Sequence, residues 1–299
     1  MELAKTAVAL GIFDGVHLGH QAVLKLAAEQ MKNGLEPCAV TFSPSVVSLK
    51  KSDSGFIFGE AEKIRLLKKY GVGNICSFEF NDIRNMNGEK FSEEILAKKL
   101  NASFVCCGND FRFGKNAACG VDELRKFGEK FGFSVCAADD VSYEGESVSS
   151  TKIRRALLNG DAAAARVLLG RNYSITGQVV HGARLGRTIG FPTINQIFEK
   201  GQLVPKYGVY ASTVAIDGKR YGAMTDIGVK PTVDYAGCPL AETNIFDFEG
   251  DLYGAEIVTE IVDFIRPEMK FGSVEELTKQ LVFDEEKIRK IIDIENSRR

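Results

Sequence analysis

The sequence predicts two domains: an α/β domain built on a parallel sheet, then a small antiparallel β-barrel followed by a C-terminal helix. Three observations carry this. Residues 7–138 alternate short continuous apolar runs with segments of helical period, the pattern of parallel strands covered on both faces. Beyond residue 171 the texture changes to β-branched runs separated by Gly, Asn and Asp turns, the pattern of a meander that can close into a barrel. The length of 299 residues suits two domains better than one or three. The expected domains are 1–171 and 172–299.

Residues 7–12 read as a buried strand leading into a helix over 21–33, with Leu24, Ala27, Ala28 and Met31 at helical spacing and Gly34 as its stop. A second strand covers 37–42 and ends at Ser43-Pro44. A helix from Glu60 to Tyr70 sets Ala61, Ile64 and Leu67 on one face, with Gly71 closing it. Strands follow at 74–80, 103–107 and 133–138; Ser92 is placed to cap a helix running to Leu100, and 121–130 is a further helix. Helices are expected from Ser149 to Asn159-Gly160 and over 161–169. In the second half, 207–216 and 221–227 are strands joined by Asp217-Gly218, a tight hairpin signal. Residues 255–265 form another strand, and 273–297 a C-terminal helix broken near Asp284.

Composition narrows the function classes. Hydrophobic content of 44% is ordinary for a globular chain with two cores. A net charge of −2 gives no electrostatic case for nucleic acid as a partner. No apolar run approaches the length of a membrane span, and Asp14 interrupts the short apolar start, which therefore does not read as a signal peptide. The seven cysteines (38, 76, 106, 107, 119, 136 and 238) form no C-x-x-C pair. Reduced, buried thiols in a cytoplasmic monomer or weak oligomer are expected, with no membrane partner.

The chemistry starts at residues 11–20, which hold Gly11, Phe13, Asp14, Gly15, His17, Gly19 and His20. A strand that turns through glycines into a helix points free N–H groups into the turn, a ready anion site. Imidazoles there can stabilise charge that builds during phosphoryl or nucleotidyl transfer. A zinc site would need a third ligand, and none is obviously spaced to supply it. Ser149, Ser150, Thr151 and Arg154 open a later helix as either a second phosphate grip or a plain N-cap with a solvated arginine. The loop 181–195 holds Gly182, Gly186, Gly190, Arg184 and Arg187 just after a strand. It suits phosphates without being a Walker A loop; alternatively it is a glycine-rich hairpin with solvated arginines.

Several of these stretches resemble one family. The spelling FDGVHLGHQ resembles the HxGH nucleotidyltransferases, in the form of the flavin adenylyltransferase module of bacterial bifunctional riboflavin kinase/FAD synthetases. Residues 108–114 match that family's GxDFxFG loop, and 149–154 its SSTxIR signature. Its TFDPHP segment is altered here, with Ser43 and Ser45 replacing the acidic residue and the histidine. Residues 181–195 resemble the riboflavin kinase signature HGxxxGRxxGFPTAN, with Ile194 in place of Ala. PKYGVY, IGVKPT, ETNIFDF, DLYG and RPEMKF follow in order, with Asp226 and Asn244 where the family has Asn and His.

The resemblance implies a Rossmann-like HxGH nucleotidyltransferase domain and a riboflavin kinase type barrel. It implies ATP as substrate with Mg²⁺, phosphorylation of riboflavin to FMN, then adenylylation of FMN to FAD. The implied catalytic residues are Glu242, His17, His20 and Arg154. Gly11, Phe13, Asp14, Gly15, Gly19, Ser150, Thr151, Gly182, Gly186 and Arg187 are implied at the nucleotides. Asp110 and Phe111 are implied at the flavin, and Thr193 with Asn195 at the metal. A base is needed because a primary ribityl hydroxyl is a poor nucleophile.

Overall fold

The computed structural model describes residues 4–42, 55–182, 185–199, 201–229 and 237–297. The expectations resting on Ser43, Pro44, Ser45, Arg184 and residues 230–232 lie outside these. The chain forms two compact units, Met1–Ser150 and Thr151–Arg299.

The first unit is a five-stranded sheet of β1 (Thr6–Leu10), β2 (Glu36–Phe42), β3 (Asn74–Phe78), β4 (Ala102–Gly108) and β5 (Ser134–Ala138). All pairings are parallel and the order is β3-β2-β1-β4-β5. The central strand β1 is an unbroken apolar run because both its faces are covered. Val8, Leu10, Val40 and Val105 pack on one side against Leu96 and Leu124. On the other side the Cys106 thiol reaches the Val23 carbonyl of α1 (Leu18–Ala28) at 3.3 Å. Chain order reverses between β1 and β4, so a topological switch point lies at their carboxyl ends.

Several helices differ from the sequence reading. Helix α1 begins at Leu18 because His17 caps it, its Nδ1 accepting from the His20 N–H at 3.4 Å. The segment Glu29–Asn33 tightens to 3₁₀ geometry before Gly34 (φ 77°), which turns Met31 out to 59% exposure. Helix α2 (Glu60–Lys69) buries Glu62, Lys63, Leu66 and Leu67, not Ala61 and Ile64. Its two buried charges are tolerated because each is partnered. Arg65 donates two bonds of 2.7 Å to Glu62, and Lys63 Nζ donates to the Phe42 carbonyl at 2.7 Å. Past the short α3 (Phe80–Ile83), α4 (Gly88–Lys90) is capped by Asn87 and continues as a π-helical segment over Phe91–Lys99. Ser92 is therefore inside the helix, donating to the Gly88 carbonyl at 2.9 Å, rather than capping it. Helix α5 (Val121–Phe131) ends on left-handed Gly132, and a two-stranded ribbon of β6 (Ser142–Tyr143) and β7 (Glu146–Ser147) follows.

Helix α6 (Ser150–Asn159) begins on the last residue of the first unit, and the second unit continues with α7 (Ala162–Leu169), capped by Asp161. Its sheet contains β8 (Tyr173–Gln178), β9 (Ile194–Ile197), β10 (Gly208–Ile216), β11 (Lys219–Val229), β12 (Pro239–Ile245) and β13 (Glu256–Arg266). The order is β8-β13-β10-β11-β12-β9, antiparallel throughout. Asp217 (φ 49°) and Gly218 (φ 77°) make the left-handed turn that a two-residue hairpin requires.

The barrel nearly closes on itself. The Val180 N–H donates to the Asn195 carbonyl at 2.9 Å. Inside, the fully buried Gln196 of β9 crosses the gap, donating to the Ile257 carbonyl at 2.8 Å and accepting from Thr259 Oγ1 at 2.7 Å. Alternate residues form two faces. Val214, Ile216, Ala223, Ile245 and Ile257 cluster on one. Val209, Ala211, Met224 and Phe246 pack on the other beneath Ile288 and Ile292 of α9 (Val274–Ser297).

Helix α9 runs unbroken through Asp284, contrary to the expected break. That carboxylate is 1% exposed and accepts from Arg266 Nε and Gln280 Nε2, each at 2.8 Å. It anchors the helix to β13 instead of ending it. All seven cysteines are free, but only Cys38, Cys106 and Cys107 are buried; Cys238 is exposed, against the expectation. Burial pushes the Cys38 and Cys107 thiols up to about 12.

Candidate active sites

In the first unit, the turn after β1 is held in a strained form. Phe13 (φ 53°), Gly15 (φ 82°) and Val16 (φ 40°) all take left-handed backbone, which is costly for a β-branched residue. The surroundings enforce it. Gln21 Nε2 donates to the Val16 carbonyl at 2.9 Å, and Thr41 Oγ1 to the Ile12 carbonyl at 2.8 Å. A Cβ on Gly15 would stand 2.8 Å from Ile57, and one on Gly11 3.0 Å from the Phe13 ring. Gly15 is required by both its left-handed φ and this close approach, Gly11 by close approach alone.

Asp14 fastens this turn. Its Oδ1 accepts from the Ile57 N–H at 2.8 Å, while its carbonyl accepts from Ser150 Oγ at 2.9 Å. The two signature segments are thus joined directly through Asp14 and Ser150. The imidazoles of His17 and His20 stack with centroids 3.7 Å apart, and Phe13 meets His20 edge-on at 5.4 Å. Because His17 Nδ1 accepts from the backbone, its neutral ring carries the proton on Nε2.

The remaining first-unit candidates sit after β4. Asp110 is exposed and Phe111 half-buried, stacked on Phe113 at 5.7 Å. Gly108 and the His17 turn follow adjacent parallel strands, so they emerge on the same edge of the sheet. Thr151 and Arg154 follow Ser150 on α6, exposed and half-buried respectively.

In the second unit the candidates gather around β9. Gly186 opens the short α8 (Leu185–Thr188), and a Cβ there would overlap the Phe191 carbonyl. A Cβ on Gly182 would lie 2.5 Å from the Asn195 amide nitrogen. Asn195 itself is 4% exposed, and among the described residues its Oδ1 accepts no hydrogen bond. Glu242 of β12 stands directly opposite Asn195 and is half-buried. Arg187, Thr193, Thr243, Ile245, Leu252 and Tyr253 line a cavity with Val179 and Ile194. Thr243 and Ile194 alternate with Glu242 and Asn195 along β12 and β9, so these strand residues face the other side of the sheet from that pair.

Comparison with known proteins fits this layout. A family model described as FAD synthetase matches residues 1–152, and one described as riboflavin kinase matches residues 169–292. A bifunctional riboflavin kinase/FMN adenylyltransferase of Bacillus subtilis is 35% identical, covering 95% of this chain and 92% of that one. The chain belongs to this family. The Escherichia coli K12 member of the bifunctional riboflavin kinase/FMN adenylyltransferases is 36% identical, with 92% and 89% covered. A crystal structure titled as a macrolide-efflux protein from Streptococcus pneumoniae is 34% identical and superposes with a TM-score of 0.82, covering 97% of this chain and 95% of that one.

Within the riboflavin kinase/FMN adenylyltransferase family, this chain's departures have physical consequences. Asn244, where the resemblance expects His, donates from Nδ2 to the Pro192 carbonyl at 2.7 Å. It fixes the loop that delivers Thr193 and Asn195. Ile194 contributes apolar wall to the cavity. Sequence reasoning missed Gln21, Thr41 and Ile57, which hold the first turn through backbone atoms. The Gln of FDGVHLGHQ was visible in the sequence, but nothing there linked it to the Val16 carbonyl.

Proposed function

We infer that the chain phosphorylates riboflavin to FMN with ATP and then transfers AMP from a second ATP to FMN, giving FAD and pyrophosphate. Residues 172–299 are assigned the kinase step and residues 1–171 the adenylyl step. The reading rests most on one coincidence. A strained His17–His20 turn clasped to Ser150, and a Glu242–Asn195 strand pair in a barrel with a cavity lined by Arg187, Thr193 and Thr243, occur in one chain.

In the kinase step Glu242 takes the proton from the ribityl hydroxyl as it attacks the γ-phosphate. Gly182 and Gly186 let backbone approach the phosphates closely, and Arg187 at the cavity wall offsets their charge. Thr193 and Asn195 would hold Mg²⁺. A buried amide oxygen with no donor beside it, covered by Gly182, fits a hard cation. When bound, Mg²⁺ neutralises charge on the transferring phosphoryl group.

In the adenylyl step an FMN phosphate oxygen attacks the α-phosphorus of ATP and pyrophosphate leaves. His17 donates from Nε2 to the phosphate, His20 adds a second donor, and Ser150, Thr151 and Arg154 hold the chain of phosphates. Gly11, Phe13, Asp14, Gly15 and Gly19 shape the nucleotide turn, with Asp14 acting through the backbone it fixes. Asp110 and Phe111 meet the flavin. Positioning and charge neutralisation carry both steps, with no covalent intermediate. The partners are small molecules, in a cytoplasmic monomer or weak oligomer. Among the described residues, no helix is long and apolar enough to cross a membrane.

The test is riboflavin with ATP and Mg²⁺, followed by chromatographic separation of riboflavin, FMN and FAD. Wild type gives FMN then FAD, Glu242→Gln stops before FMN, and His20→Ala stops at FMN. FMN alone from wild type would remove the adenylyl assignment. No flavin product would overturn the whole reading.

A further inference from the structure

The stretch 245–253, which starts on the last residue of β12, supplies Ile245, Phe248, Gly250, Asp251, Leu252 and Tyr253 to the cavity wall of the second unit. Arg187 lines the same cavity, and of the two kinase substrates only ATP carries phosphates for it to meet. Within the stretch the chain turns at Asp247, whose φ of 54° is left-handed. Phe246 before it packs on the α9 face of the barrel, and Phe248 after it on the cavity face. Asp247 is the pivot between the two. Aspartate tolerates the left-handed region, but a residue persists there only when its surroundings hold it.

Arg289 of α9 does the holding. Its Nη1 and Nη2 donate to Asp247 Oδ2 and Oδ1 at 2.7 and 3.0 Å, a fork that fixes orientation as well as distance. This fork keeps the Asp247 carboxyl below the usual carboxylate range. The Arg289 Nε donates to Glu285 Oε1 at 2.9 Å, which aims the guanidinium from the helix. Its plane carbon lies 4.6 Å from the centre of the Phe246 ring, and Phe246 is in turn buried beneath Ile288 and Ile292. One side chain therefore meets both the carboxylate and the neighbouring ring of the pivot. Beyond the pivot, Phe248 meets Tyr221 edge-on at 5.4 Å and lies over Gly250, where a Cβ would stand 2.8 Å from its ring.

We infer that Arg289 is a positioning residue for the kinase step: from α9, acting through Asp247, it sets the part of the cavity wall that ATP meets. The inference deepens the kinase reading and rests on it. The side chains of Arg289 and Asp247 are 41% and 73% exposed, so their pair contributes little to stability. Its effect is geometric. Without the fork the pivot relaxes, and Phe248 moves with the wall residues that follow it. Glu242 lies upstream, in the part of β12 paired with β11 and β9, and keeps its place. A displaced wall weakens nucleotide binding alike in the ground and transition states, so the loss belongs in KM and not in kcat.

The experiment measures FMN formation against ATP concentration for the full chain as wild type, Asp247→Asn, Arg289→Met and the double variant. Asparagine tolerates a positive φ as aspartate does, and methionine keeps an apolar stem over Phe246, so each substitution removes the fork and little else. Each single variant is expected to raise KM for ATP about tenfold, with kcat within about threefold of wild type. The double variant should match the single ones, because all three lack the same pair of bonds. Arg289→Lys, a point charge in place of a fork, should fall between wild type and Arg289→Met. Melting temperatures should drop by no more than about 2 °C, and FAD formation from supplied FMN should stay unchanged. An unchanged KM in both single variants would overturn the inference. So would multiplied losses in the double variant, a loss confined to kcat, or a parallel fall in FAD formation from supplied FMN. The kinase reading is judged separately by FMN formation from wild type, which none of these outcomes touches.

Discussion

Replacing Gln196 by leucine tests how the barrel is closed. The change keeps the side-chain volume and removes both polar atoms that Gln196 places in the seam between β9 and the β8–β13 edge. Two strong bonds are lost, Nε2 to the Ile257 carbonyl at 2.8 Å and Thr259 Oγ1 to Oε1 at 2.7 Å. The longer contacts to the Ile175 and Gly177 carbonyls, 3.4 and 3.3 Å, add little. Each lost bond costs about 1 kcal/mol, and the stranded Thr259 hydroxyl, fully buried, adds about 1–3 kcal/mol. Extra apolar burial returns roughly 1 kcal/mol. The sum is about 3 kcal/mol, or about 6–12 °C in melting temperature for a domain of this size. Calorimetry and urea unfolding would measure it. The paired variant Gln196→Leu/Thr259→Val removes the orphan as well and should recover about 2 kcal/mol. Strictly additive losses in the pair, or a single-variant loss under about 0.5 kcal/mol, would refute the seam argument.

Two other predictions follow from particular contacts. A Cβ on Gly19 would stand 3.3 Å from the His17 imidazole. Gly19→Ala should displace that ring by a few tenths of an ångström, lowering FAD formation by about 10–100-fold while FMN formation is unchanged, as read by flavin chromatography. Thiol chemistry should separate the cysteines by burial. A disulfide reagent at pH 8 should react rapidly with exposed Cys238, and Cys238→Ser should abolish that phase. Cys38 and Cys107, whose thiols are raised to about 12 by burial, stay protonated at that pH and should react only on unfolding.

Much of the architecture was legible because it is written in period and punctuation. The apolar runs of β1 and β4, the glycines that end helices at 34 and 71, and the Asp217-Gly218 turn each act within a few residues. What escaped depends on distant partners. Asp284 looks like a helix breaker until Arg266 of β13 is brought beside it. Glu62 and Lys63 look like surface residues until Arg65 and the Phe42 carbonyl satisfy them. Ser92 looked like a cap because the pattern hid the earlier cap at Asn87. In the candidate sites the motifs gave residue names, but register gave the neighbours. That Asp226, Glu242 and Asn195 form one line follows from strand pairing alone.

The Asp14–Ser150 hydrogen bond spans 136 positions in the chain. Closing so long a loop is entropically unfavourable, and contacts of this separation form late in folding. On the ribosome, the histidine turn is synthesised almost first but lacks its clasp until residue 150 has emerged. Gln21, Thr41 and Ile57 hold the strained backbone once they have emerged, and the Ser150 clasp then adds the bond to the Asp14 carbonyl. The clasp is the last of these bonds to become available: a chain arrested before Ser150 carries the whole histidine signature with its turn one bond short.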